Sequence, residues 1–176
     1  MRLLLSLLLL SSYYKRLSFY NSKLILQATY INRLLLKENI KMKKNYFSEL
    51  EKLLDNSSAP YSGFSVASIV VCKDGREFKG VNVESAAYPT TICAERNAIF
   101  TAVAEGIAKG DIESVHIAAR NAEGLLVTAH PCGSCRQVIA EQSMNDCVVY
   151  SYQSAQDYTE NAIATLLPFA FLGEEL

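Results

Sequence analysis

The sequence predicts an α/β fold in which helices cover a mixed sheet. Two observations carry that expectation. Beyond Tyr46, apolar residues at helical spacing alternate with short β-branched runs, in the order α-β-β-α-β-α-β-α. Between two of those runs, Lys73-Asp74-Gly75-Arg76 is a turn with Asp-Gly at its centre, which makes them a hairpin.

Each element has its own signal. Phe47, Leu50, Leu53 and Leu54 share one helical face, and the run Asp55 to Pro60 ends that helix. Ser65 to Cys72 is short, apolar and β-branched, as a buried strand is, and Glu77 to Val83 returns as its hairpin partner. Ile92 to Glu105 reads as a helix with Ile92, Ala98, Ile99, Ala102 and Val103 facing inward, closed by Gly106. Ser114 to Ala119 is a strand, followed by a turn over Asn121-Ala122-Glu123-Gly124. Cys135 to Gln142 is a helix and Cys147 to Tyr150 a strand. Tyr158 to Leu167 is a last helix, ended by Pro168.

A chain of 176 residues suits one domain with a substantial core. Its net charge of −1 offers no electrostatic footprint for polymeric nucleic acid. Five cysteines, two of them as Cys-x-x-Cys, favour reduced thiols or metal ligands over a disulfide framework. That thiol chemistry points to a cytoplasmic protein.

The first 41 residues differ from the rest. Met1 to Lys37 contains no acid, and the run Leu3 to Leu10, broken only by Ser6, is far too short to span a bilayer. A secretory signal and an organelle transit segment are competing readings. The expectation is a 1–41 extension outside the working protein and a catalytic domain over 42–176, because Met42-Lys43-Lys44-Asn45 looks like a natural start before the first helix. No membrane partner is expected.

The chemistry lies in two short stretches, Thr91-Ile92-Cys93-Ala94-Glu95-Arg96 and His130-Pro131-Cys132-Gly133-Ser134-Cys135-Arg136. Cys132 and Cys135 in the first turn of a helix can face one ion, and Cys93 begins a helix of its own. Unpaired N–H groups and the dipole at a helix N-terminus favour the anionic sulfur. Alone, a Cys-x-x-Cys reads equally well as a redox pair, and a Cys-x-Glu as a buried cysteine beside a surface acid. Together they fit zinc with three protein ligands and an open fourth position for water, which is the catalytic arrangement. Glu95, a carboxylate beside the metal but not on it, is placed to move protons.

These stretches, with Asn82-Val83-Glu84-Ser85-Ala86-Ala87-Tyr88-Pro89, resemble the small homotetrameric zinc-dependent cytidine deaminases, from about Tyr46 to the C-terminus. The resemblance implies a three-layer α/β/α fold and one Zn²⁺ per subunit on Cys93, Cys132 and Cys135. It implies hydrolytic deamination at C4 of cytidine and deoxycytidine, a pyrimidine-salvage reaction, with Glu95 protonating N3 and then carrying a proton to the leaving amine. Arg96 corresponds to an arginine that hydrogen-bonds ligand sulfurs and drains their charge. Phe64, Asn82, Glu84, Ala94, Tyr88 and Phe171 correspond to substrate residues. Among them Phe64 packs on the pyrimidine, Asn82 and Glu84 take the ribose, and Tyr88 and Phe171 reach a neighbouring subunit's site. Phe169 competes with Phe171 for the last role.

The bland alternatives are core packing for Phe64, a polar strand end for Asn82-Val83-Glu84 and a solvated cation for Arg96. Cys72, Cys147 and His116 are expected in the core, and His130 only adjoins the zinc loop. Two rival functions remain: a blasticidin-type deaminase, against which the Asn-x-Glu argues, and a non-catalytic zinc or thiol module. A structural zinc site would want a fourth Cys or His at ligand spacing, and a dithiol enzyme would not need Glu95.

Overall fold

The computed structural model describes residues 44–173, so the expectation for residues 1–41 lies outside the described residues. Among the described residues, six strands form one sheet. They are β1 (Ser65–Cys72), β2 (Glu77–Val81), β3 (Ile112–Arg120), β4 (Leu126–Val127), β5 (Val148–Tyr152) and β6 (Tyr158–Ala162). The order across the sheet is β2-β1-β3-β5-β6, with β4 paired to the end of β3. β1 runs antiparallel to β2 and to β3, whereas β3 and β5 are parallel. The sheet is therefore mixed, as the sequence predicts.

The helices are α1 (Phe47–Leu53), α2 (Ala94–Ala104), α3 (Gly133–Gln142) and the single turn α4 (Ile163–Leu166). Alternation along β1 divides its side chains between two cores. Val70 joins Ile99 of α2, Ile117 and Ile139 of α3 on one face. Ile69 joins Leu50 of α1, Leu54 and Tyr152 on the other. Helices on both faces of one sheet give the three-layer α/β/α arrangement. His116 is buried on the α1 side, its ring centroid 4.3 Å from that of Tyr46 and 4.6 Å from that of Tyr150.

Three sequence expectations are corrected. The predicted helix over Tyr158 to Leu167 is a strand, β6, followed by α4. Tyr158 to Ala162 carries no apolar helical period, and five positions from Tyr152↔Tyr158 to Val148↔Ala162 pair it antiparallel to β5. The same pairing carries β5 two residues past the predicted Tyr150. Val103 is 45% exposed rather than inward, because the buried stripe of α2 runs through Ala94, Glu95, Ala98, Ile99 and Ala102 and leaves Val103 at its margin. The short strand β4 carries too few residues for a periodic signal.

Two features place the site. β3 leads through α3 to the parallel strand β5, so α3 starts beyond the C-terminal end of β3, where sheets of this kind hold their sites. On β2, Gly80 lets the backbone of α2 come unusually close. A Cβ at Gly80 would lie 2.4 Å from the Ala94 carbonyl oxygen and 2.5 Å from the Ala98 nitrogen. The Asn97 side-chain amide donates to the Val81 carbonyl at 3.0 Å, tying the same helix to the same strand.

Candidate metal centre

Cys93 and Cys132 are the N-cap residues of α2 and α3, each extended in backbone conformation, and Cys135 lies in the first turn of α3. Serine or aspartate is the usual cap at such a position. Here the caps are thiols, and the free N–H groups of two helix starts bias them toward thiolate. The three sulfurs lie within 4.8 Å of one another. Cys93 Sγ is 3.9 Å from Cys132 Sγ, which is 3.5 Å from Cys135 Sγ. A tetrahedral ion with Zn–S bonds of about 2.3 Å separates its sulfurs by roughly 3.8 Å, so three cysteines so placed fit zinc. None of the three is in a disulfide.

The surroundings set the charge. Arg96 brings Nη2 to 3.4 Å from Cys93 Sγ and also donates to the Thr91 carbonyl. A hydrogen bond from the Cys135 thiol, reinforced by Arg96, lowers Cys93 to about 5. Cys135, which supplies that hydrogen bond and is buried, is pushed far up in turn. Without metal, Cys93 is thus the thiolate of the pair. Glu95, in the first turn of α2, is 4% exposed. Burial pushes its carboxyl above the ordinary range, and the Cys93 charge adds to that. A carboxyl whose proton is held more firmly than an ordinary carboxyl's is suited to proton transfer.

A second group of residues lies in the segment between α1 and β1 and in the chain after β2. Asn82 is buried and its amide is engaged within the protein. Its Oδ1 accepts from the Ser57 hydroxyl at 2.6 Å and the Val66 N–H at 2.7 Å, and its Nδ2 donates to the Phe64 carbonyl at 2.8 Å. Glu84 accepts the N–H groups of Tyr61 and Ser62 at 2.9 and 3.1 Å and the Ser62 hydroxyl. The Ser62 hydroxyl leads those donors in holding Glu84 below the usual carboxylate range. Phe64 is half-buried. Ala94 is fully buried, its carbonyl against Gly80.

Tyr88, Phe169 and Phe171 lie on the surface. Tyr88 is 71% exposed and meets Tyr61 edge to face, with ring centroids 6.0 Å apart. Phe169 and Phe171 are both exposed, Phe169 with a left-handed φ of 56°. Gln137 of α3 donates to the Phe171 carbonyl at 2.6 Å. His130 Nδ1 is 3.3 Å from the Ser151 hydroxyl, and no metal-ligand group among the described residues includes it. Cys72 and Cys147 are buried, and burial raises them to about 11 and about 12.

Sequence reasoning passed over three residues that the structure places near the site. Arg136 donates to the carbonyls of Pro131 and Leu166 at 2.8 and 3.0 Å, tying the zinc loop to the end of α4. Ser62 holds Glu84, and Gly80 admits α2. The turn-forming Gly63 beside Ser62 was the available signal for the second. A strand-interior glycine is a general signal of close backbone approach, and it was there to be read at Gly80.

A mixed sheet that presents three clustered cysteine sulfurs and a buried carboxyl at two helix starts defines a metal-dependent hydrolytic enzyme. The chain belongs to the cytidine and deoxycytidylate deaminase family, whose zinc-binding region matches residues 41–151. It is 38% identical to a cytidine deaminase of Sporosarcina psychrophila over 135 residues, covering 73% of this chain and 90% of that one. With a probable cytidine deaminase of Dictyostelium discoideum it shares 36% identity over 137 residues, 73% of this chain and 87% of that one. Among solved structures, a cytidine deaminase from Burkholderia pseudomallei matches with a TM-score of 0.64 at 33% identity, covering 71% of this chain and 95% of that chain.

Proposed function

We propose that the chain hydrolyses the 4-amino group of cytidine and deoxycytidine, giving uridine, deoxyuridine and ammonia. One observation carries the reading: three cysteine sulfurs stand at metal spacing, and one of them, Cys93, is two residues from a buried carboxyl that is not among the three. When bound, zinc supplies the Lewis acid that holds and acidifies the attacking water. Glu95 receives the proton of that water and delivers it to N3 of the pyrimidine. A C–O bond forms at C4; Glu95 then takes the remaining proton from the new C4 hydroxyl and passes it to the amino nitrogen, the C–N bond breaks as the C4 carbonyl forms, and ammonia leaves. Three thiolates would leave the metal site with a net charge of about −1, and the Arg96 guanidinium offsets part of it through Cys93.

Phe64 packs on the base in this reading, and Glu84 accepts a sugar hydroxyl. Asn82 holds the segment that presents both, its oxygen already accepting two hydrogen bonds and its second amide hydrogen left for the ribose. The working form is a homotetramer in which the exposed Tyr88 and Phe171 complete a neighbour's site, and its place is pyrimidine salvage in the cytoplasm. Among the described residues, no helix is long and apolar enough to cross a membrane.

The decisive experiment follows the absorbance change as cytidine becomes uridine, with and without a zinc chelator. Turnover that chelation abolishes and zinc restores is the expected result. A protein that binds zinc yet leaves cytidine unchanged would return the non-catalytic zinc module to first place. Light scattering on the same sample gives the mass, and a monomer with full activity would remove Tyr88 and Phe171 from a neighbour's site.

A further inference from the structure

The structure assigns Ser62 as a positioning residue that fixes the carboxylate of Glu84 and sets it in register with Phe64; the inference rests on reading Glu84 as the group that takes the sugar. Three donors reach Glu84 from one side. Two are the N–H groups of Tyr61 and Ser62, both on Oε2 at 2.9 and 3.1 Å. The third is the Ser62 hydroxyl on Oε1. That hydroxyl also accepts the Phe64 N–H at 2.9 Å. Its hydrogen is given to Glu84, so its oxygen is free to receive: the chain runs from the Phe64 amide through Ser62 to the carboxylate.

The loop cannot easily slide out of this arrangement. Gly63 between the two residues has a φ of 66°, and its N–H donates to the Ala59 carbonyl at 3.0 Å. A Cβ there would meet the Ala122 side chain at 3.0 Å. Ser58 pairs with Val83, its carbonyl accepting the Glu84 N–H at 2.8 Å, while Asn82 holds the Phe64 carbonyl. Backbone and side chain of the 57–64 segment are thus hung on Asn82 and Glu84 together.

Lone-pair counting says what this leaves for a ligand. An ionised carboxylate accepts at roughly four positions. The two N–H groups fill those of Oε2, and Ser62 fills one of Oε1. One acceptor remains, on Oε1, which suits a single sugar hydroxyl. Removing the Ser62 hydroxyl frees that oxygen to turn and unties it from Phe64, while the two N–H donors and the fold remain.

The test measures kcat and KM for cytidine and for 2′,3′-dideoxycytidine on wild type, Ser62→Ala, Ser62→Thr and Glu84→Ala, with thermal melts to confirm folding. Ser62→Ala should raise KM for cytidine about tenfold, the ratio that one charge-assisted hydrogen bond is worth, with kcat within about twofold. KM for the dideoxy analogue should hardly move, and Ser62→Thr, which keeps the hydroxyl, should restore cytidine. If Ser62→Ala harms both substrates equally while Glu84→Ala harms only cytidine, Ser62 merely shapes the loop and the inference is overturned with the Glu84 reading intact. If wild type and Glu84→Ala treat the two substrates alike, the Glu84 reading itself falls, and this inference with it. Should Ser62→Ala melt early, Ser62→Thr decides: a folded Thr variant with the alanine defect also overturns it.

Discussion

Glu95 is 4% exposed in the helix turn that Cys93 caps, so its protonation is shifted chiefly by burial and further by the Cys93 sulfur. Replacing it with glutamine keeps the shape and one hydrogen-bonding amide but removes the titrating group. Glu95→Gln should retain zinc, by metal analysis, and lose about 10²–10⁴-fold in turnover. Near-normal turnover with zinc in place would take Glu95 out of the mechanism. Cys93 offers a chemical check. Its depressed thiol, at about 5, is a thiolate at neutral pH once metal is stripped, whereas Cys72 at about 11 and Cys147 at about 12 stay protonated and buried. Brief alkylation near neutrality, mapped by mass spectrometry, should therefore mark Cys93 and spare those two, with protection by added zinc. Equal labelling of all three would deny Cys93 its special setting. The three cysteines that the structure brings together were legible because the chemistry of zinc dictates residue types and spacing. Ser62 was not, since nothing in a lone serine says which carboxylate the fold will bring to it.

At the scale of elements, strands were read more securely than the last helix. β1 was delimited to the residue because both its faces are largely buried and it is rich in apolar, β-branched residues between turn signals. β6 was misread because its face is exposed and its identity comes from pairing with β5, a long-range fact that local pattern does not hold. The packing of α2 on β2 left one trace in the sequence, a glycine inside a strand. A methyl at Gly80 would press within 2.5 Å of backbone in the turn that carries Glu95. Gly80→Ala should cost about 1–3 kcal/mol in a denaturant melt, as forced overpacking does. It should also lower turnover beyond the stability loss, because the helix that moves is the one bearing Glu95 and Cys93. A variant with wild-type melting and turnover would mean that the strand yields without moving the helix.

At the scale of the whole molecule, a chain begun at Met42 should fold, bind zinc and turn over cytidine like the full one. Loss of solubility or activity on that truncation would show that residues 1–41 belong to the working protein. The position of the ligands along the chain has a mechanical consequence. Cys93 and Cys132 are 39 residues apart, and the central strand β3 lies between them. An ion gripping both is a cross-link around that strand, of the same kind as a disulfide. By the loop-entropy rule, closing a ring of that size in the unfolded chain is worth up to about 4 kcal/mol. The reacting centre thereby doubles as a clasp, and a chelator should lower the melting temperature by several degrees as well as stopping turnover. A protein starved of zinc would then lose its chain to unfolding and proteolysis along with its chemistry, so its cellular abundance should track the metal supply.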